Sequence, residues 1–204
     1  METISQLGRR PLLVVLSGPS GVGKDAVISR MKEMGRPYHF AVTVTTRPRR
    51  SGEVDGREYM FVSSGVFEEM RRDGELLEHA SVYGNSYGVP KAQVKGALEK
   101  GQDVIMKIDV QGAATIKGLV PQGVYVFLAP PSMEELERRL RGRKTETEEA
   151  LRQRMETALQ EMERVFLFEY IVVNTTDALD RTVAKIDAII QSEKCRLPLR
   201  WVAL

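Results

Sequence analysis

The chain lacks much of what several common functions need. It has one cysteine, Cys195, so neither an internal disulfide nor a cysteine-built zinc site can form. Its two histidines, His39 and His79, are too few for a histidine-rich metal centre and read as structural or surface residues. No apolar run approaches the roughly 18 residues of a membrane-spanning helix. Leu12–Leu16 is too short for a signal-peptide core, so a cytoplasmic protein without a membrane partner is expected. Charge of one sign is also missing. Thirty Lys and Arg face 28 Asp and Glu, a formal net of +2, and this balance excludes a dedicated nucleic-acid binder.

What is present fits a folded α/β chain. With 204 residues, 42% of them hydrophobic, it has the length for one core with insertions. Leu12–Leu16, Val104–Ile108, Val124–Leu128 and Tyr170–Val173 are short apolar runs of the kind buried on both faces of a parallel sheet. Helical periodicity separates them. Val27, Ile28 and Met31 share one face, and so do Val94, Ala97 and Leu98 in a helix expected from Pro90 at N1 to Gly101 just past its end. A last helix spans about Leu179 to Gln191. The alternation predicts βαβ units.

Two stretches interrupt that rhythm. Residues 43–90 are polar and glycine-punctuated, with strand-like Ala41–Thr45 and Tyr59–Val62 and a helix at Phe67–Arg72, and read as a small α+β insertion. Residues 132–166 read as a helical hairpin. Capping boxes start at Ser132 and Thr145, and Leu151, Met155, Leu159, Met162 and Phe166 are expected to form one packed face. The core is then 11–42, 91–131 and 167–204.

Gly18-Pro19-Ser20-Gly21-Val22-Gly23-Lys24 matches the first seven positions of G-x-x-x-x-G-K-[ST], between a strand and a helix. Glycines let successive N–H groups curl around phosphate oxygens, the helix N-terminus attracts the same anion, and Lys24 reaches the β/γ-phosphates. The eighth position, a hydroxyl residue in the pattern, is Asp25.

Further motifs follow in order: Thr43-Val44-Thr45-Thr46-Arg47-Pro48-Arg49-Arg50 through Tyr59, Leu77-Glu78, Gly84-Asn85-Ser86-Tyr87-Gly88, Ile108-Asp109-Val110-Gln111-Gly112, and Gly142-Arg143-Lys144-Thr145. Together they closely resemble the guanylate kinases, from about Pro11 to Gln191. The resemblance implies a P-loop NTPase three-layer fold with a parallel sheet core, a small GMP-binding insertion and a helical lid. It implies transfer of the γ-phosphoryl group of ATP to GMP, with Mg²⁺ accompanying ATP. Under it Arg47, Arg50, Tyr59 and Tyr87 hold the GMP phosphate, with Glu53 orienting the arginines. Thr43, Glu78 and Asp109 surround the guanine. Arg139, Arg143 and Arg154 match lid arginines that close on ATP, and Asn174 lies near the adenosine. Arg49, Arg138, Arg141 and Arg152 are expected to be solvated.

The chemistry of the residues agrees. Guanine offers N1–H and N2–H₂ as donors, and a buried carboxylate such as Glu78 accepts both. Adenine would leave it unsatisfied, which discriminates by roughly 10⁴-fold. The acceptor phosphate is already ionised at neutral pH, so no general base is needed. The task is to bring two anions together. Residues 132–155 hold seven Lys/Arg against six Glu, as expected for arginines held by glutamates until an anion arrives.

Two positions depart from the family. Asp25 replaces Ser or Thr, and Lys107 stands where an acidic residue is usual. The expectation is that they pair across the usual Mg²⁺ position, altering the Mg²⁺ requirement, with Asp25 as the alternative metal ligand. A kinase for ribose 1,5-bisphosphate would not need Glu78 with Thr43. A catalytically lost interaction module would not keep Lys24 and the arginines. Nothing in the residues favours monomer over homo-oligomer.

Overall fold

The computed structural model describes residues 10–82, 84–142, 148–202 and 204. Arg143 and the Thr145 capping box lie outside them. β1 (Leu13–Ser17) ends in the phosphate loop, and α1 (Lys24–Glu33) follows. The chain continues through β2 (His39–Phe40), β3 (Thr43–Thr45), β4 (Tyr59–Phe61), α2 (Ser64–Arg72), β5 (Leu76–Val82), β6 (Asn85–Pro90) and α3 (Lys91–Glu99). β7 (Val104–Lys107), α4 (Val110–Leu119), β8 (Val124–Ala129), α5 (Met133–Arg141) and α6 (Glu148–Glu163) come next. A 3₁₀ turn (Arg164–Leu167), β9 (Tyr170–Val173) and α7 (Leu179–Lys194) complete it.

The core sheet is parallel, in the order β2-β7-β1-β8-β9. Its central strand is apolar throughout because both faces are covered. Val14 and Leu16 join Val27 and Met31 of α1 and Val183, Ile186 and Ile190 of α7 on one side. Leu13 and Val15 join Val94, Ala97 and Leu98 of α3 and Ala113 and Ile116 of α4 on the other. This is the expected three-layer arrangement. In such sheets ligands bind beyond the carboxyl ends of the strands. β1 and β7, in register at Leu16 and Lys107, place the phosphate loop and Lys107 side by side there.

Residues between 43 and 90 form a second sheet in the order β4-β3-β6-β5. The expected strand Ala41–Thr45 is shortened to β3, Thr43–Thr45, because Ala41 and Val42 carry the chain from β2 in the core sheet across to β3 in the second. The Gln93 side chain covers the crossing. It accepts from Val42 N–H at 2.9 Å and donates to Val42 C=O at 2.6 Å, as a neighbouring strand would. Pro90 is the N-cap of α3 rather than its first residue, while Gly101 takes the left-handed φ of 74° expected past the end.

The face expected from 151 to 166 is only partly formed. Leu151 and Ala158 are buried with Met155 packed beside them, while Met162 packs against a separate cluster of Val110, Phe127 and Ala129. Leu159 is 52% exposed and Phe166 93%. The α-helix ends at Glu163, and the 3₁₀ turn changes the angular step, which swings Phe166 outward. Among the described residues no helix is long and apolar enough to cross a membrane.

Candidate active site

The phosphate loop is held open by its backbone. Gly18 has φ 141°, and a Cβ there would stand 2.1 Å from the Leu128 carbonyl oxygen, so no side chain fits. Gly23 has φ 101°, and a Cβ would stand 2.5 Å from the Asn174 amide. Lys24 Nζ donates to the Gly18 and Pro19 carbonyls at 2.5 and 3.1 Å, folding its ammonium back over the loop. Burial lowers its pKa, which the Glu161 and Asp25 carboxylates oppose.

A cavity of about 390 Å³ opens beside the loop. Ser20, Gly21, Gly23, Lys24 and Asp25 line one end, and Thr43, Arg47, Arg50, Tyr59, Glu78, Tyr87 and Asp109 the other. Lys107, Arg154 and Glu161 complete the wall. Most of the residues singled out from the sequence thus surround one space, though they come from both sheets and from α6.

Its far end carries unmet polar capacity. Thr43 Oγ1 and Glu78 Oε2 are buried without a hydrogen-bond partner among the described residues. Loss of water, and secondarily the Asp109 carboxylate, pushes the Glu78 carboxyl up to about 8. Asp109 caps α4 by accepting from Gly112 N–H at 2.9 Å. Nearer the middle, Arg47 Nη2 donates to Glu53 Oε1 at 2.7 Å and the Arg50 N–H donates to Glu53 Oε2 at 2.7 Å. The Arg47 guanidinium also lies 5.3 Å from the Tyr59 ring centre. Glu53 therefore orients this arginine segment; burial by itself would raise its pKa, but the bonds from Arg47 and Arg50 outweigh burial and leave it below the usual carboxylate value.

Several expected residues stand off the cavity. Asn174 is buried behind the loop, donating to the Val22 carbonyl at 2.8 Å and accepting from Thr182 Oγ1 at 3.1 Å. Arg139 donates to the same Val22 carbonyl at 3.1 Å and to the Asn174 carbonyl at 2.9 Å, and pairs with Glu135. Both brace the loop from behind. Val22 contributes its carbonyl while its side chain belongs to the core. Arg138, Arg141 and Arg152 form exposed pairs with neighbouring glutamates, as expected of solvated residues. Sequence reasoning missed Glu161. Its Oε2 accepts the Ser20 N–H at 3.2 Å, so a carboxylate of α6 rests on the phosphate loop. The available signal was its spacing of seven from Arg154, which puts both on one helix face.

A glycine-rich loop feeding a helix at the carboxyl edge of a parallel sheet, with arginines converging on a shared cavity, defines the class of P-loop kinases. A family model described as guanylate kinase matches residues 9–193, and the chain belongs to that family. The guanylate kinase of Caldanaerobacter subterraneus subsp. tengcongensis is 44% identical over 189 residues, covering 93% of this chain and 91% of that protein. Guanylate kinase 2, chloroplastic/mitochondrial, of Oryza sativa subsp. japonica is 44% identical over 194 residues, covering 95% and 68%. The crystal structure of guanylate kinase from Anaplasma phagocytophilum aligns over 92% of this chain and 88% of that one, with 31% identity and a TM-score of 0.77.

Proposed function

We propose that the protein transfers the γ-phosphoryl group of ATP to GMP, giving ADP and GDP. The observation that carries this reading is the buried, unpartnered pair of Thr43 Oγ1 and Glu78 Oε2, in the same cavity as Lys24. A carboxylate buried without donors is costly, and guanine's N1–H and N2–H₂ are the donors that repay it.

Arg47, Arg50, Tyr59 and Tyr87 bind the acceptor phosphate, and residues 18–24 with Lys24 bind the donor. A GMP phosphate oxygen attacks Pγ. The new O–P bond forms as the bond from Pγ to the β-bridging oxygen breaks, and the electron pair leaves on ADP. No proton is taken by the protein, because the acceptor is ionised already. Catalysis is positioning and neutralisation by Lys24, Arg47 and Arg154, with Arg139 and Asn174 fixing the loop. Mg²⁺ comes with ATP and supplies charge neutralisation on its phosphate oxygens. The donors of this chain do not suit a protein-held Mg²⁺. Asp25, standing where the pattern has a hydroxyl, is tied to the Lys107 ammonium, whose positive charge repels a cation at that position.

A coupled ADP-release assay across GMP, AMP, UMP, CMP and ribose 1,5-bisphosphate tests the reading. ADP formation is expected with GMP above all others. Equal or greater turnover of another acceptor would reject it.

A further inference from the structure

Lys107 and Asp25 are the two residues at which this chain departs most from P-loop practice. Elsewhere a neutral hydroxyl follows the loop lysine and, with a carboxylate, holds Mg²⁺. Here the Lys107 ammonium donates to Asp25 Oδ1 and, at 2.8 Å, to the Tyr59 hydroxyl. It also lies 4.1 Å from the centre of the Tyr59 ring, whose face attracts a cation. The Lys107 side chain is only 13% exposed, against 64% for Asp25.

The ammonium is thus fixed from two sides. Burial favours its neutral form, but Asp25 and Tyr59 outweigh burial and raise its pKa, so it stays charged. Two of its three N–H donors are taken, and no hydrogen bond among the described residues takes the third. It lines the cavity that Lys24 enters from the loop and Arg47 from the insertion. Lys24, Asp25, Lys107, Tyr59, Arg47 and Glu53 form a run of mostly alternating charge from the donor end to the acceptor end.

We propose that Lys107 is a resident cation of the transfer site, its ammonium held by Asp25 and Tyr59 to bind the phosphate that passes between the nucleotides, where related loops place a protein-held divalent ion. The idea rests on the phosphotransfer reading above and deepens it. Asp25 is then a positioning residue and not a metal ligand. Tyr59 has two duties, bonding the ammonium and presenting its hydroxyl toward the acceptor.

The consequence is a nucleotide site whose affinity for ATP depends little on Mg²⁺. Calorimetric titration with ATP, in EDTA and in excess Mg²⁺, reads this directly and without turnover. For the wild-type protein the two affinities should agree within about threefold. Lys107→Met should weaken metal-free ATP binding by about tenfold or more. The double variant Asp25→Ser/Lys107→Asp restores the usual hydroxyl and carboxylate. It should bind metal-free ATP weakly and recover affinity with Mg²⁺, and its activity should need more Mg²⁺ for half-saturation than the wild type. The double variant also guards against failure of one substitution to fold.

If all three proteins show the same ratio of affinities with and without Mg²⁺, the proposal fails. The pair is then only a strut between α1 and β7, visible as a changed melting temperature. Because the titration uses ATP alone, it can fail while GMP turnover stands, and turnover can fail while it succeeds.

Discussion

At Glu78 the desolvation that raises the carboxyl pKa has two readable consequences. The group is 4% exposed and burial pushes its pKa up to about 8, well above the ordinary carboxylate range, so the free protein holds a proton there at neutral pH. Between about pH 4.5 and 8 the folded state binds this proton and the unfolded state does not, so Glu78's contribution to stability falls as pH rises through that window. Guanine donors favour the ionised form. GMP affinity should therefore rise with pH to about 8 and then level, with release of about one proton per GMP near pH 6.5. Titrations in buffers of differing ionisation enthalpy measure it, and Glu78→Gln should remove the dependence and weaken GMP binding by about 10²-fold. Gly112 is a second test of this pocket. It lies within α4, where alanine usually stabilises by about 1 kcal/mol. Its Cβ would stand 2.7 Å from Glu78 Oε2, so Gly112→Ala should displace the carboxylate. The KM for GMP should rise about tenfold, with the KM for ATP and the melting temperature little changed. The identities of Thr43, Glu78 and Asp109 were legible through the motifs, but the unmet hydrogen bonds were not. Satisfaction of a buried group depends on what else folds around it.

On the scale of elements, the phosphate loop and α6 hold each other. The Ser20 N–H that a phosphate oxygen would use donates to Glu161, and Glu161 is half-buried beside Lys24. An arriving triphosphate needs the same N–H and repels the carboxylate. Glu161→Gln should therefore raise affinity for a non-hydrolysable ATP analogue about three- to tenfold, measured by calorimetry. Unchanged affinity would show that the contact serves only to orient α6. The helices themselves were readable from periodicity and caps. Ser132 accepts from Glu135 N–H at 3.2 Å as the capping pattern requires. The apolar stripe on α6 was over-extended to Phe166, because a 3.6-residue period cannot announce where an α-helix tightens into a 3₁₀ turn.

For the whole molecule, the tail after α7 closes the core although the family match ends at residue 193. Arg200, 5% exposed, bonds Glu193, donates to Glu169 at 2.9 Å and to the Gly123 carbonyl at 2.8 Å. The Tyr170 hydroxyl completes the group through Glu193, and the Arg10 guanidinium stacks 4.4 Å from the Trp201 ring. Removing one member of a buried ion pair strands the others. Arg200→Ala should cost about 3–5 kcal/mol and lower Tm by on the order of 10 °C, read by scanning calorimetry. Arg138→Ala, at an exposed pair, should leave Tm unchanged. Nothing in the tail's composition marked Arg200 as interior.

By itself the sequence determined the parallel core, the phosphate loop and the family. These depend on local facts: a buried strand reads as an apolar run, a loop of glycines permits its φ angles, and motif order survives folding. The tertiary structure alone decided which distant groups meet. Glu161 reaches Ser20 across 141 residues, Tyr59 reaches Lys107 across 48, and Arg200 reaches Gly123 across 77. Such contacts depend on how the two sheets and the helices are set against one another, and periodicity carries no record of that placement. The expected pairing of Asp25 with Lys107 belongs to both levels. The two odd residues stood out in the chain, but only the parallel register of β1 and β7 brings their charges together.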